Sequence, residues 1–183
     1  TTVISSRPLN FLNVNTLVKL IDDYKINMLY LPVTFIRMLK ALMVKNFKIQ
    51  KSKISSLNVL GSMGEPLAKD VAMWYYKIFG SKLAIVNTYF QTETAGIICS
   101  PSYKDKSIKM FGTVGKPIND FVKLRIIKNK NEKKGSLQII TPWPGCMIGL
   151  ANKSKARWEE YFDKKKNFNL FDYGNLDIRN NFV

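Results

Sequence analysis

Thr92, Glu93 and Thr94 set two hydroxyls and one carboxylate in a row, immediately behind the two aromatics and the amide of Tyr89-Phe90-Gln91. A hydroxyl can donate to a phosphate oxygen, a carboxylate can bind a hard cation such as Mg2+, and an aromatic ring can lie against a planar base. The row therefore suits a magnesium-bound nucleotide. It suits equally well a loop in which the aromatics are core and the threonines are ordinary turn residues. A second stretch, Gly61-Ser62-Met63-Gly64-Glu65-Pro66, brings two glycines and a carboxylate to an expected helix entrance, where unpaired amides and the positive end of the dipole attract anions. It matches neither the Walker loop nor the dinucleotide fingerprint, and a strand-to-helix turn with Pro66 at the first helical position explains it as readily.

The elements that must position these residues follow from periodicity. Leu17, Leu20, Ile21 and Tyr24 share one helical face behind the capping candidates Asn15 and Thr16, so residues 16–25 read as a helix. Residues 26–31 read as a buried strand. Phe35, Met38, Leu39 and Leu42 repeat the helical spacing, and 57–60 reads as the next strand. A helix opening at Pro66 buries Val71, Trp74, Tyr75 and Ile78 and stops at Gly80, and 83–88 reads as a third strand. Alternation of this kind predicts an α/β fold, a parallel sheet with right-handed crossover helices. Ligands of such sheets sit beyond the carboxyl ends of the strands, where both stretches fall. Beyond residue 108 the pattern turns β-rich: 121–127 and 136–141 read as strands of a hairpin, and 151–162 as a short helix. The expectation is a partial α/β subdomain over 1–108 followed by a small β-rich subdomain over 109–183.

Composition narrows the chemistry. The 183 residues include no histidine, which removes Ser-His-Asp and Cys-His nucleophilic groups, His-ligated zinc and imidazole bases. Cys99 and Cys146 form no close pair, so a metal knuckle is not expected and a reducing, intracellular setting is the plain reading. Charges or prolines interrupt each apolar run before membrane-spanning length, so a soluble chain is expected. The net charge of +16 suggests an anionic partner on its face. Only Arg7, Arg37, Arg125, Arg157 and Arg179 are arginines, however, and lysine-heavy surfaces without aromatic interleaving do not favour nucleic acid. The chain begins with Thr1 and ends in Asn180-Asn181-Phe182-Val183, which reads as the opening of a strand, as in a processed protein or an internal piece of a longer one.

The two stretches together resemble a family. Gly64-Glu65-Pro66 followed by Tyr89-Phe90-Gln91-Thr92-Glu93-Thr94-Ala95-Gly96 is similar to the adenylate-forming acyl-CoA synthetases, above all to those that activate acetate. The likeness continues through Gly112-Thr113-Val114-Gly115-Lys116-Pro117, Gly135-Ser136-Leu137, Pro142-Trp143-Pro144-Gly145 and Tyr173-Gly174-Asn175. It implies part of an adenylate-forming enzyme's N-terminal domain, using ATP, Mg2+ and CoA. Such an enzyme converts a short carboxylate to acyl-AMP and then to the CoA thioester, in the cytoplasm and also the nucleus, without membrane or nucleic-acid partners. By the same resemblance Gly64, Glu65 and Pro66 border the adenosine, and Asn87, Thr88, Tyr89, Phe90, Gln91 and Thr92 form the adenine and acyl pocket. Thr92 touches the phosphate, Glu93 holds the metal, Asn10 meets CoA, and Asn175 stands at the ribose.

Three positions depart from that pattern. Asn175 replaces an aspartate that accepts from both ribose hydroxyls, a loss of about 1.5–3 kcal/mol or roughly one to two decades of nucleotide affinity. Phe90 replaces a tryptophan that closes the acyl pocket, leaving space for propionate, and Asn87 replaces another aspartate. The family's Ser/Thr/Gly-rich phosphate loop and the domain with its catalytic lysine are not found in the sequence, so the chain alone is not expected to form acyl-adenylate. Three readings stay open: a segment of an active ligase, a degenerate relative serving as a binding or scaffold module, and a basic nucleic-acid binder.

Overall fold

The computed structural model describes residues 2–3, 13–43, 49–80, 83–104, 112–140, 143–151 and 155–183. They form two compact units, one of residues 1–87 and 101–112, the other of residues 88–100 and 113–183.

In the first unit α1 (Val14–Tyr24) buries Val14, Leu17, Val18 and Ile21. Its N-cap is Asn13, whose side chain accepts from the Thr16 amide at 3.0 Å, two residues ahead of the expected cap, and Tyr24 points to solvent. β1 (Met28–Pro32) runs straight into α2 (Val33–Leu42), which buries Val33, Phe35, Ile36 and Leu39 and leaves Leu42 exposed. β2 (Val59–Met63) lies between β1 and β3 (Ala84–Asn87), parallel to both, as the alternating pattern requires. α3 (Lys69–Phe79) connects β2 to β3 and ends at Gly80. It starts three residues later than the expected opening at Pro66. The intervening chain is extended at Ala68, and Leu67, 2 % exposed, is inserted into the core before the first helical turn.

The core of this unit gathers Ile21, Ile36, Leu39, Leu60, Val71, Tyr75 and Phe79, side chains each stabilising by roughly 1.5–3 kcal/mol on burial. A cleft of about 470 Å3 lies beside α1, lined by Val18, Lys19, Asp22, Ile49 and Lys53 among others, and no candidate site residue borders it.

In the second unit β6 (Leu124–Ile127) and β7 (Gly135–Ile139) form the expected antiparallel hairpin, and β8 (Phe168–Gly174) adds a third strand that periodicity alone had not separated. Short β4 (Cys99–Ser100) and β5 (Lys116–Pro117) pair apart from these, and α4 spans Lys155–Tyr161. Ile98, Leu137, Ile139, Trp143, Phe168 and Leu170 make the core, with Trp143 edge-on to Phe168 at 5.1 Å.

Thr88–Ser100 belongs to this unit and not to the α/β one. The reason is backbone pairing: Tyr89 exchanges hydrogen bonds with Ile98 and Cys99, and Cys99–Ser100 pairs with Lys116–Pro117. Among the described residues no helix is long and apolar enough to cross a membrane.

Candidate active site

In the first unit the chain leaves β2 through Gly64, whose φ of +86° is open to glycine at no cost and strained for other residues. Glu65 follows, its carboxylate 2.8 Å from Arg37 Nη1 on α2. The pair is half-exposed, so it contributes at most about 1 kcal/mol. Because α3 starts at Lys69, the acid at the helix entrance is Asp70, ion-paired with Lys40, and not Glu65. Pro66 lies ahead of the helix, in a stretch without regular secondary structure. Asn87 ends β3 opposite Ser62 of β2, and the Ser62 hydroxyl donates to Asn87 Oδ1 at 2.9 Å in a site with almost no solvent access. A neutral amide satisfies that hydroxyl without burying a charge.

In the second unit, residues 88–94 make a tightly tied turn. Thr88 is buried, and Tyr89 turns its phenol to Asp172 Oδ2 at 2.6 Å. Burial, helped by this carboxylate, holds the phenol far above its ordinary range, so it remains a donor. Phe90 is half-buried. Gln91 caps a single 3-10 turn, Thr92–Thr94, its amide donating to Thr94 Oγ1 at 2.9 Å and its carbonyl accepting from the Thr94 amide at 3.1 Å. Thr94 is 1 % exposed, and its carbonyl accepts from the Trp143 indole at 3.1 Å. Ala95 closes the turn at φ +57°.

Between these anchored ends Thr92 is exposed and Glu93 half-buried, so one hydroxyl and one carboxylate project from a rigid backbone. Glu93 Oε1 accepts from the Tyr161 phenol at 3.2 Å, and Tyr161 is held by stacking on Phe168 at 5.6 Å.

That donor set fits Mg2+ of a particular kind. The described residues contain no cluster of three or more His, Cys, Asp or Glu side chains, so no all-protein cage exists among them. A lone carboxylate with one oxygen engaged by a phenol suits an ion that keeps its waters and takes its other ligands from phosphates. Cys99 takes no part: burial pushes its thiol up to about 12. Asn175 sits at the end of β8, its backbone paired in both directions with Val183 and its amide side chain half-buried. Asn10 and Pro142 lie outside the described residues.

Three residues that support the turn were not singled out for that role from sequence. Trp143 enters the sequence reading only as part of Pro-Trp-Pro-Gly, Tyr161 only within the short helix expected over 151–162, and Asp172 not at all.

Residues 1–144 match the model of the AMP-binding enzyme family, and the chain belongs to that family. Relatives include acetyl-coenzyme A synthetases of Leptospira biflexa, 36% identical over 159 residues covering 81% of the chain, and of Vibrio vulnificus, 33% identical over 165 residues covering 86%. A third, of Drosophila melanogaster, is 35% identical over 152 residues covering 79%. The matched regions span 23%, 25% and 22% of those proteins, so the chain corresponds to about a quarter of their length.

Proposed function

We propose that the chain is a segment of an AMP-forming acetate–CoA ligase, cytoplasmic in its parent protein. There a short carboxylate attacks the α-phosphate of ATP, giving acyl-AMP and pyrophosphate, and the thiol of CoA then displaces AMP. The observation that carries this reading is the Gln91–Thr94 turn, which presents Thr92 and Glu93 from a backbone fixed by Trp143 and by Thr94's own bonds. Adenylation of this kind draws on positioning and charge neutralisation rather than on an imidazole base, which accords with a chain without histidine. Thr92 donates to a phosphate oxygen, Glu93 contributes one ligand to Mg2+, and the metal supplies neutralisation of phosphate charge. The Gly64-Glu65-Pro66 turn is assigned to adenosine by the same reading, and the ring of Phe90 to an acyl pocket that admits propionate beside acetate.

The test is equilibrium binding of AMP to the chain with and without Mg2+, alongside acetate-dependent release of pyrophosphate from ATP. The chain is expected to release none, and to bind AMP in a magnesium-linked manner that Glu93→Gln abolishes. Pyrophosphate release by the chain alone overturns the claim that it is only a segment, and AMP binding indifferent to both magnesium and Glu93 overturns the site.

Asn175 favours a second reading, a relative that keeps the fold as a binding module, because an amide offers the ribose one acceptor oxygen and no charge. Under the ligase reading Asn175→Asp tightens AMP by roughly one to two decades. Under the module reading it changes nothing.

A further inference from the structure

β8 does not pair regularly with β7. Ser136 faces Tyr173 and Gln138 faces Asn169, so the single residue Leu137 stands opposite the three residues Leu170, Phe171 and Asp172. A bulge of this kind bends its strand and re-aims side chains, and it is often found beside functional sites. Phe171, inside it, holds φ at +57°, a conformation that costs a non-glycine residue of order 1–3 kcal/mol and persists only where the surroundings enforce it.

The bulge delivers two acceptors to one amide. Gln91 Nε2 donates to the Leu170 carbonyl at 2.7 Å and to Asp172 Oδ2 at 2.6 Å, while the same Oδ2 receives the Tyr89 hydroxyl at 2.6 Å. Reversing the Gln91 amide would set its oxygen against a carbonyl and a carboxylate, so one orientation is enforced. Gln91 is the cap of the turn that carries Thr92 and Glu93, and Tyr89 begins the segment leading to it.

The geometry points to Asp172 as a positioning residue: presented by the β8 bulge, it locks Tyr89 and Gln91 and thereby sets the direction of Thr92 and Glu93. The role in nucleotide binding rests on the function proposed above, whereas the locking of the turn does not.

Asp172→Ala and Asp172→Asn in the full chain test it with two readouts. The first is hydrogen exchange of the Thr94 amide together with the side-chain amide signals of Gln91. Asp172→Ala is expected to speed the exchange about tenfold and shift the Gln91 signals, and Asp172→Asn, which keeps an acceptor oxygen, to stay within about threefold of the native rate. The second is Mg2+-linked AMP affinity, expected to fall about tenfold in Asp172→Ala and to be largely restored in Asp172→Asn. Native exchange and Gln91 signals in Asp172→Ala overturn the lock. Faster exchange with unchanged AMP affinity overturns the positioning role. Should the native chain bind no AMP, the functional reading fails, and the exchange arm alone still decides the lock. Should Asp172→Ala not fold, an Asp172→Asn chain with exchange faster by ten times or more overturns the claim that an acceptor at this place is what matters.

Discussion

Trp143 and Tyr75 are both large buried aromatics with one polar atom, and they use it in opposite ways. The Trp143 indole donates to the Thr94 carbonyl, so a side chain packed in the core of its unit also holds down the end of the candidate active-site turn. Tyr75 is 0% exposed, packs edge-on against Phe79 at 5.4 Å, and its hydroxyl meets no hydrogen-bond partner among the described residues. A buried hydroxyl without a partner costs about 1–3 kcal/mol relative to water, whereas its removal leaves a phenyl ring of nearly the same shape. Tyr75→Phe is therefore expected to leave stability unchanged or raise it by about 1 kcal/mol, read as a higher urea midpoint at constant slope. A midpoint lowered by the equivalent of about 1 kcal/mol would show that the hydroxyl is satisfied.

At the level of elements the register of β1 on β2 contains one close approach. Tyr30 stands opposite Gly61, and a Cβ added at Gly61 would lie 2.3 Å from Tyr30 Cδ2. Gly61→Ala must push that ring aside, an overpacking cost of about 1–3 kcal/mol. In a Tyr30→Ala background the obstacle is gone, so the alanine is expected to cost at least about 1 kcal/mol less there, a coupling that a double-mutant cycle of denaturation midpoints measures. Equal costs in both backgrounds would mean that the ring does not set the approach. The parallel strands, the crossover helices and the β6–β7 hairpin were legible because each single strand, helix and polar turn declares itself within a dozen residues through its apolar spacing. What escaped was decided over longer range. The first turn of α3 gives way to the burial of Leu67, and the bulge in β8 is invisible in Phe-Asn-Leu-Phe-Asp-Tyr-Gly because β7 creates it. For the candidate site, the chemical types of Thr92 and Glu93 were legible. Their supports were not, since Tyr161 is 68 residues from Glu93 and Asp172 is 81 from Gln91.

For the molecule as a whole, charge is the dominant long-range term. With 29 Lys and Arg against 13 Asp and Glu, the folded chain works against its own repulsion at neutral pH, and acid takes the formal charge from +16 toward the +29 of its cations alone. Local bonding adds to this. Asp163 accepts from the Asn167 side chain, then from the Asn167 and Lys165 amides, with Arg125 beside it, and together these hold its carboxyl below the ordinary 3.8. Such a group stabilises the fold fully above the unfolded value, and its contribution disappears as pH falls through the lower folded-state value. Both effects act in the same direction, so thermal stability is expected to fall steeply below about pH 4. They separate by treatment. Salt near 1 M, where the screening length is about 3 Å, weakens the general repulsion and moves the acid midpoint to lower pH, while the short bonds at Asp163 persist. Asp163→Asn keeps an acceptor but removes the titration, so its melting temperature should start lower at neutral pH and decline less between about pH 4 and pH 2. Circular-dichroism melts across that range, at low and high salt, measure both. An acid midpoint indifferent to salt would show that self-repulsion does not limit this chain, and parallel declines for the native chain and Asp163→Asn would assign the acid sensitivity to other carboxylates.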